Sequence, residues 1–106
     1  VKKTTETDLV RAILAWLQIA KPQGVWWRAN TGCFAGEYKG KKRFVRFGVP
    51  GMSDIQGVHD GLAVFIECKG EKGKLSAAQE NFGKEIIAAN GCYIVARSIE
   101  DVEKAL

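Results

Sequence analysis

The stretch IQGVHDGLAVFIECK, Ile55 to Lys69, constrains this chain more than any other. Two apolar-rich runs flank Asp60-Gly61, and an Asp-Gly pair accepts the positive φ angles that a two-residue hairpin turn demands. The runs are therefore expected as neighbouring antiparallel strands. The second run, Leu62 to Ile66, is wholly apolar and then ends in Glu67, Cys68 and Lys69, so a strand fit for burial finishes in charge. Alternate side chains share a face, which points Glu67 and Lys69 one way and Ile66 and Cys68 the other. The acid and the amine are either a structural ion pair, whose desolvation rarely improves stability, or a pair kept for chemistry.

The remaining segments give this hairpin something to pack on. Leu9, Ile13, Trp16, Leu17 and Ala20 recur at helical spacing and KPQG stops the run, predicting an amphipathic helix over Thr5 to Ala20. VWWRANT reads as a strand, and FAGEYKGKKRFVRFG as two short strands about a turn near Gly40. GVPGMSD is a loop whose glycines and proline permit an unusual backbone path. Ser76 with Gln79 resembles a capping box that opens a helix ending near Asn90-Gly91. CYIVAR is a further apolar strand, and Ser98 with Asp101 opens a last helix, IEDVEKAL. The order predicts one mixed α/β domain over residues 1–106 with a central sheet, and neither repeats nor low-complexity segments interrupt it.

Composition narrows the class. The chain is 46% hydrophobic and 26% charged, as soluble globular proteins are, and its net charge of +4 leans towards a polyanionic partner. Cys33, Cys68 and Cys92 are odd in number and far apart, and His59 is the single histidine, so neither a disulfide framework nor a zinc cluster fits. Three reduced, buried cysteines suit a cytoplasmic protein. The opening VKKTTETD leads into no apolar targeting segment, and no run is long enough to span a membrane.

Asp54 stands thirteen residues before Glu67, at the entry to the first hairpin strand, so the hairpin sets the two acids opposite each other. Two close carboxylates repel unless a cation lies between them, and hard oxygens without histidine or paired cysteine point to Mg²⁺ or Mn²⁺. Glu6 precedes Leu9 by three residues and Ile13 by seven, which puts it on the apolar face of the first helix. It is either an acid favoured by the helix dipole or an acid aimed at a site.

An acid after a Gly/Pro loop followed by Glu-x-Lys at the end of an apolar strand resembles the PD-(D/E)xK nuclease superfamily. GVPGMSD, ECK and LSAAQ, with Glu6 upstream and RANTG between, look like its VRR-NUC family of virus-type replication and repair nucleases. Ser53 stands where the superfamily's name has proline. The resemblance covers roughly Glu6 to Gly91 and implies a restriction-endonuclease-like core, a central mixed β-sheet flanked by helices. It implies that Asp54, Glu67 and the Cys68 backbone carbonyl bind the metal, with Glu6 joining directly or through water. Lys69 would orient or deprotonate the attacking water. Gln79, on the inner face of its helix, would fix Lys69 or a water, although capping alone also accounts for it. The implied reaction is phosphodiester hydrolysis leaving a 5′-phosphate and a 3′-hydroxyl.

Five of the sixteen basic residues, Lys39, Lys41, Lys42, Arg43 and Arg46, fall within KGKKRFVR. A solvated hairpin would carry them too, but such concentration suits contacts to backbone phosphates. Lys72 and Lys74 continue the series after the Glu-x-Lys strand, and Arg28 and Asn30 share a face with Trp26. Trp26 and Trp27 alternate, so one belongs in the core and the other at the surface or an interface, where base stacking is a further use. Stand-alone members of the resembled family are similar to homodimeric resolvases of four-way (Holliday) junctions, which makes branched DNA the expected partner. The apolar bulk of the first helix, Trp26-Trp27 and the last helix looks hard to bury in one small core, again suggesting a homodimer. The alternatives are a non-catalytic nucleic-acid-binding module and a restriction-type endonuclease acting on linear duplex.

Overall fold

A computed structural model describes residues 5–29 and 32–106; within 32–38 and 43–47 it describes the backbone alone. Thr5 opens helix α1 (Glu6–Ala20) through a capping box: its hydroxyl accepts from the Asp8 N–H at 3.0 Å, and Asp8 accepts from the Thr5 N–H at 3.3 Å. Leu9, Val10, Ile13 and Leu17 form its buried stripe, with Leu14 and Trp16 packed at the margin. Ala20, expected in that stripe, is exposed at the last helical residue.

Strand β1 (Val25–Arg28) is followed by the ribbon of β2 (Gly32–Tyr38) and β3 (Lys41–Phe47), then by β4 (Ile55–His59) and β5 (Leu62–Cys68). Both hairpins turn on left-handed pairs, Lys39-Gly40 with φ of 51° and 75° and Asp60-Gly61 with 51° and 76°. Helix α2 (Ala77–Ala88), strand β6 (Cys92–Ala96) and helix α3 (Ile99–Ala105) complete the order. Ser76 caps α2 and Ser98 caps α3, each hydroxyl accepting the N–H three residues on.

The central sheet is β1-β4-β5-β6, and β2 and β3 form a separate two-stranded sheet. β1, β4 and β5 run antiparallel, whereas β5 and β6 are parallel, a pairing that needs the long connection α2 supplies. This is a mixed α/β fold with a four-stranded mixed sheet flanked by helices. On one face Trp26, Ile55, Val64, Ile66, Cys68, Ile94 and Ala96 meet α1 and Val102 of α3 in the core. On the other face Phe82 of α2 packs edge-on against Phe65 and Tyr93, with ring centres 5.7 and 6.3 Å apart. Helix α2 therefore lies over β5 and β6, while Val25, Trp27 and Val58 on the β1–β4 half of the same face remain exposed.

One chain buries more than its sequence suggests. Trp26 is only 7% exposed, and Trp16, Ile99 and Leu106 pack against the core around it. The difficulty foreseen in burying this bulk is removed partly at Gly57, where a side chain would run into the Trp26 indole. The indole instead lies over β4, stacks on His59 and donates its N–H to the Lys21 carbonyl at 3.1 Å. Cys68 is buried but Cys92 is only half-buried, against the expectation for both; both are free thiols. Among the described residues no helix is long and apolar enough to cross a membrane.

Candidate active site

The β4–β5 register pairs Ile55 with Ile66, so the next pair towards the sheet's end is Asp54 with Glu67. The Ala29 N–H donates to the Asp54 carbonyl at 2.9 Å, which carries the β1–β4 pairing one step past its last register pair. The Asp54 carboxylate accepts the Cys68 N–H at 2.8 Å. Lys69 donates its own N–H to the Ala96 carbonyl on the β6 side, at 3.0 Å. Backbone groups alternate in direction along a strand, so the N–H and C=O of Cys68 both face the β4 edge where Asp54 lies. Its side chain faces the core, and burial and then Asp54 push the thiol up to about 12, so Cys68 serves this site through its backbone.

Glu67 is 2% exposed. Its Oε1 accepts from the Gln79 side-chain amide at 2.9 Å, while the carbonyl end of the same amide accepts the Ser76 N–H at 2.8 Å. One glutamine thus caps α2, as expected, and with its amide N–H holds the strand carboxylate of Glu67, where Lys69 or a water was the expected partner. Glu67 Oε2 is buried and receives no hydrogen bond from any described group. Burial first, and then the neighbouring Asp54 carboxylate, push the Glu67 carboxyl up to about 8, with Lys69 opposing the shift.

Lys69 Nζ lies 3.9 Å from Glu67 Oε1 and 3.8 Å from Glu6 Oε1, with its side chain 11% exposed. The first residue of α1 therefore reaches the end of β5, although Glu6 is exposed and not buried with Leu9 and Ile13. Glu6 is a first-turn acid of the helix and an ion-pair partner of Lys69 at once.

The loop before β4 delivers Asp54. Gly51 has φ of 75° and packs against the backbone of Ala78 in the first turn of α2, where any side chain would collide with it. The Ser53 hydroxyl, 1% exposed, donates to the Ile55 carbonyl at 3.3 Å. Asp54 and Gln79 are thereby tied to each other through backbone contact as well as through Glu67.

Past the carboxyl ends of the parallel pair β5–β6 lies a cavity of about 490 Å³, lined by Thr5, Leu9, Lys69, Gly70, Glu71, Lys72 and Arg97. Arg97 donates to the carbonyls of Gly70 at 2.5 Å and Glu71 at 3.3 Å, fixing the chain after Lys69. Arg97 was not among the expected site residues, yet its position carries a signal: like Lys69, it stands just past the end of an apolar strand and is charged.

The expected nucleic-acid contacts are dispersed. Lys39, Lys41 and Lys42 are exposed at the tip of the β2–β3 ribbon, and Arg43 and Arg46 fall in β3 opposite Gly36 and Cys33. Lys72 lines the cavity and Lys74 is exposed in the following loop. Arg28 is exposed at the end of β1, and its charge acts to lower the Cys68 pKa. Asn30 lies outside the described residues.

Among the described residues no group of three His, Cys, Asp or Glu side chains is arranged to hold a metal ion. Two carboxylates and one backbone carbonyl are nevertheless a fitting donor set for Mg²⁺ or Mn²⁺, since Mg²⁺ is usually held by one or two carboxylates and keeps several waters. The unpartnered Glu67 Oε2 is a donor such an ion would satisfy. No family model matches the chain, and no curated protein matches it in sequence.

Proposed function

We propose that this chain is a Mg²⁺- or Mn²⁺-dependent deoxyribonuclease with a restriction-endonuclease-like core of the VRR-NUC type. The observation that carries the reading is Glu67: a buried carboxyl, with one oxygen unpartnered, faces Asp54 across a strand pair and has Lys69 at 3.9 Å. Burying a carboxyl that faces a second carboxylate is costly, and a fold built for stability alone gains nothing from it.

Asp54, Glu67 and the Cys68 carbonyl would hold the ion, and Glu6 approaches from α1 beside Lys69. Once bound, the ion would supply Lewis-acid stabilisation of phosphoryl charge and ease the ionisation of water. Lys69, poised between Glu6 and Glu67, orients the attacking water and handles its proton. Gln79 keeps Glu67 in its rotamer, and Asp54 is held by the Cys68 N–H. The basic ribbon with Lys72 and Lys74 engages phosphates, which suits a nucleic-acid strand and not a small phosphate ester. Branched DNA is the leading substrate. Resolving a four-way junction takes two symmetric incisions, and one chain offers one Glu-x-Lys site, so a homodimer is the economical active unit.

The test is a labelled panel of linear, flap and four-way DNA incubated with Mg²⁺, Mn²⁺ or EDTA. Cleavage of branched DNA is expected only with metal, and Asp54→Asn and Glu67→Gln should abolish it. Lys69→Ala should lower the single-turnover rate roughly 10²-fold with DNA affinity retained. Unchanged calorimetric Mn²⁺ affinity in both acid variants would sink the metal assignment.

A further inference from the structure

Helix α2 covers only the β5–β6 half of its sheet face. On the open half, Trp27 is 43% exposed, next to the facing pair of Val25 at 64% and, on β4, Val58 at 46%. These side chains share a face with Asp54 and Glu67. Trp27 pairs with Gln56, and the Ala29–Asp54 backbone bond brings the next same-face pair to Asp54 itself. Diagonal neighbours of this kind stand about 7–8 Å apart. That is roughly the span between a base and its own phosphate, so the flat exposed ring and the carboxylate pair are one nucleotide apart on a continuous surface.

We infer that Trp27 is a stacking platform for an unpaired nucleobase adjacent to the phosphate at Asp54 and Glu67. The inference rests on the nuclease reading and narrows its substrate to DNA with an unstacked nucleotide at the reaction site. Three observations favour a base over a second copy of the chain. Any large partner seated on Trp27 would also cover the carboxylates, which must stay open to a phosphodiester. Among the described residues the large apolar side chains exposed on this half of the face are Val25, Trp27 and Val58, which matches the face of a base better than a protein interface. Arg28, the next residue of β1, is exposed on the opposite face of the sheet and adds positive charge at the same end of the strands as Asp54, where the backbone of the nucleic-acid strand would run. A base in a duplex keeps both faces stacked on its neighbours, so the indole gains a partner only where pairing is interrupted.

The test is equilibrium binding in EDTA, by fluorescence anisotropy, of a labelled oligothymidine and of an abasic oligomer of equal length. Wild-type protein should prefer the thymidine strand. Trp27→Ala should reduce that preference by about 5-fold or more, the scale of one base stacked on an aromatic ring, while Trp27→Phe keeps most of it. Affinity for the abasic strand and its salt dependence should not move, because the phosphate-binding groups are intact. Equal preference in wild type and Trp27→Ala overturns the inference. So does a dimer that Trp27→Ala converts to a monomer, by light scattering, with base preference unchanged, which would make this face an interface between copies. Base preference abolished in Trp27→Ala, from a wild type that cleaves nothing with Mn²⁺, would remove the nuclease reading and leave the stacking platform standing.

Discussion

Burial and the facing Asp54 carboxylate hold the Glu67 carboxyl near 8 against a usual 4.5, so without metal it is largely protonated at neutral pH. The folded chain binds this proton more tightly than the unfolded chain does. Its contribution to stability is therefore complete below about 4.5 and disappears as pH rises through about 8. In EDTA the melting temperature should fall between pH 5 and pH 9, and Glu67→Gln should flatten that fall because the amide never ionises. Mg²⁺ or Mn²⁺ should restore stability most at the alkaline end, where the carboxylate is already formed. Burial raises the Cys68 and Tyr93 side chains to about 12 and pushes Cys92 up as well, but their unfolded-state values of 9.0 and 10.0 mean that they add to the fall only as pH approaches 9, so the slope between pH 5 and pH 8 belongs to Glu67. Thermal denaturation followed by circular dichroism checks this; identical slopes in wild type and variant would contradict it. At this scale the juxtaposition of Asp54, Glu67 and Lys69 was legible from the chain because strand alternation and hairpin register are local rules. The division of labour in Gln79, which caps its helix with one end and holds Glu67 with the other, was not, since it depends on where α2 lands.

Each element begins or turns on a short local signal, and these signals were readable. Ser76 with Gln79, Ser98 with Asp101, and the Asp60-Gly61 turn act within four residues of sequence and appear where expected. Gly51 is different: its loop character was clear, but its contact with Ala78 joins segments 27 residues apart in sequence. Gly51→Ala would force a side chain into the backbone of α2 from a left-handed conformation that favours glycine. It should cost at least ~1 kcal/mol in urea denaturation. Because the same contact sets Asp54 against α2, Mn²⁺ affinity should fall in parallel. A variant as stable as wild type would show that the loop can relax away from the helix. Removing only the cap, by Ser76→Ala, should cost about 1 kcal/mol.

For the molecule as a whole, the basic ribbon and the carboxylate site belong to different sheets. Affinity and chemistry should therefore separate. Lys41→Ala with Lys42→Ala is expected to weaken DNA binding and lower the slope of log affinity against log salt by about 1 for each phosphate no longer neutralised. The single-turnover rate at saturating protein should be unaffected. Light scattering with four-way DNA should find two chains per junction; one chain per junction, cleaving linear duplex equally well, would remove the dimeric reading. Element order, the hairpin, the helix caps and the facing pair Asp54–Glu67 follow from the sequence, since turn chemistry, capping and side-chain alternation act over a few residues. Which tryptophan enters the core could not be read so locally: Trp26 is inside because Gly57, on another strand, leaves room for its ring. The same holds for the ribbon's separation from the main sheet and for Arg97 at the end of β5. Each was decided by register and packing between distant segments, where the free energy depends on what the partner segment leaves open.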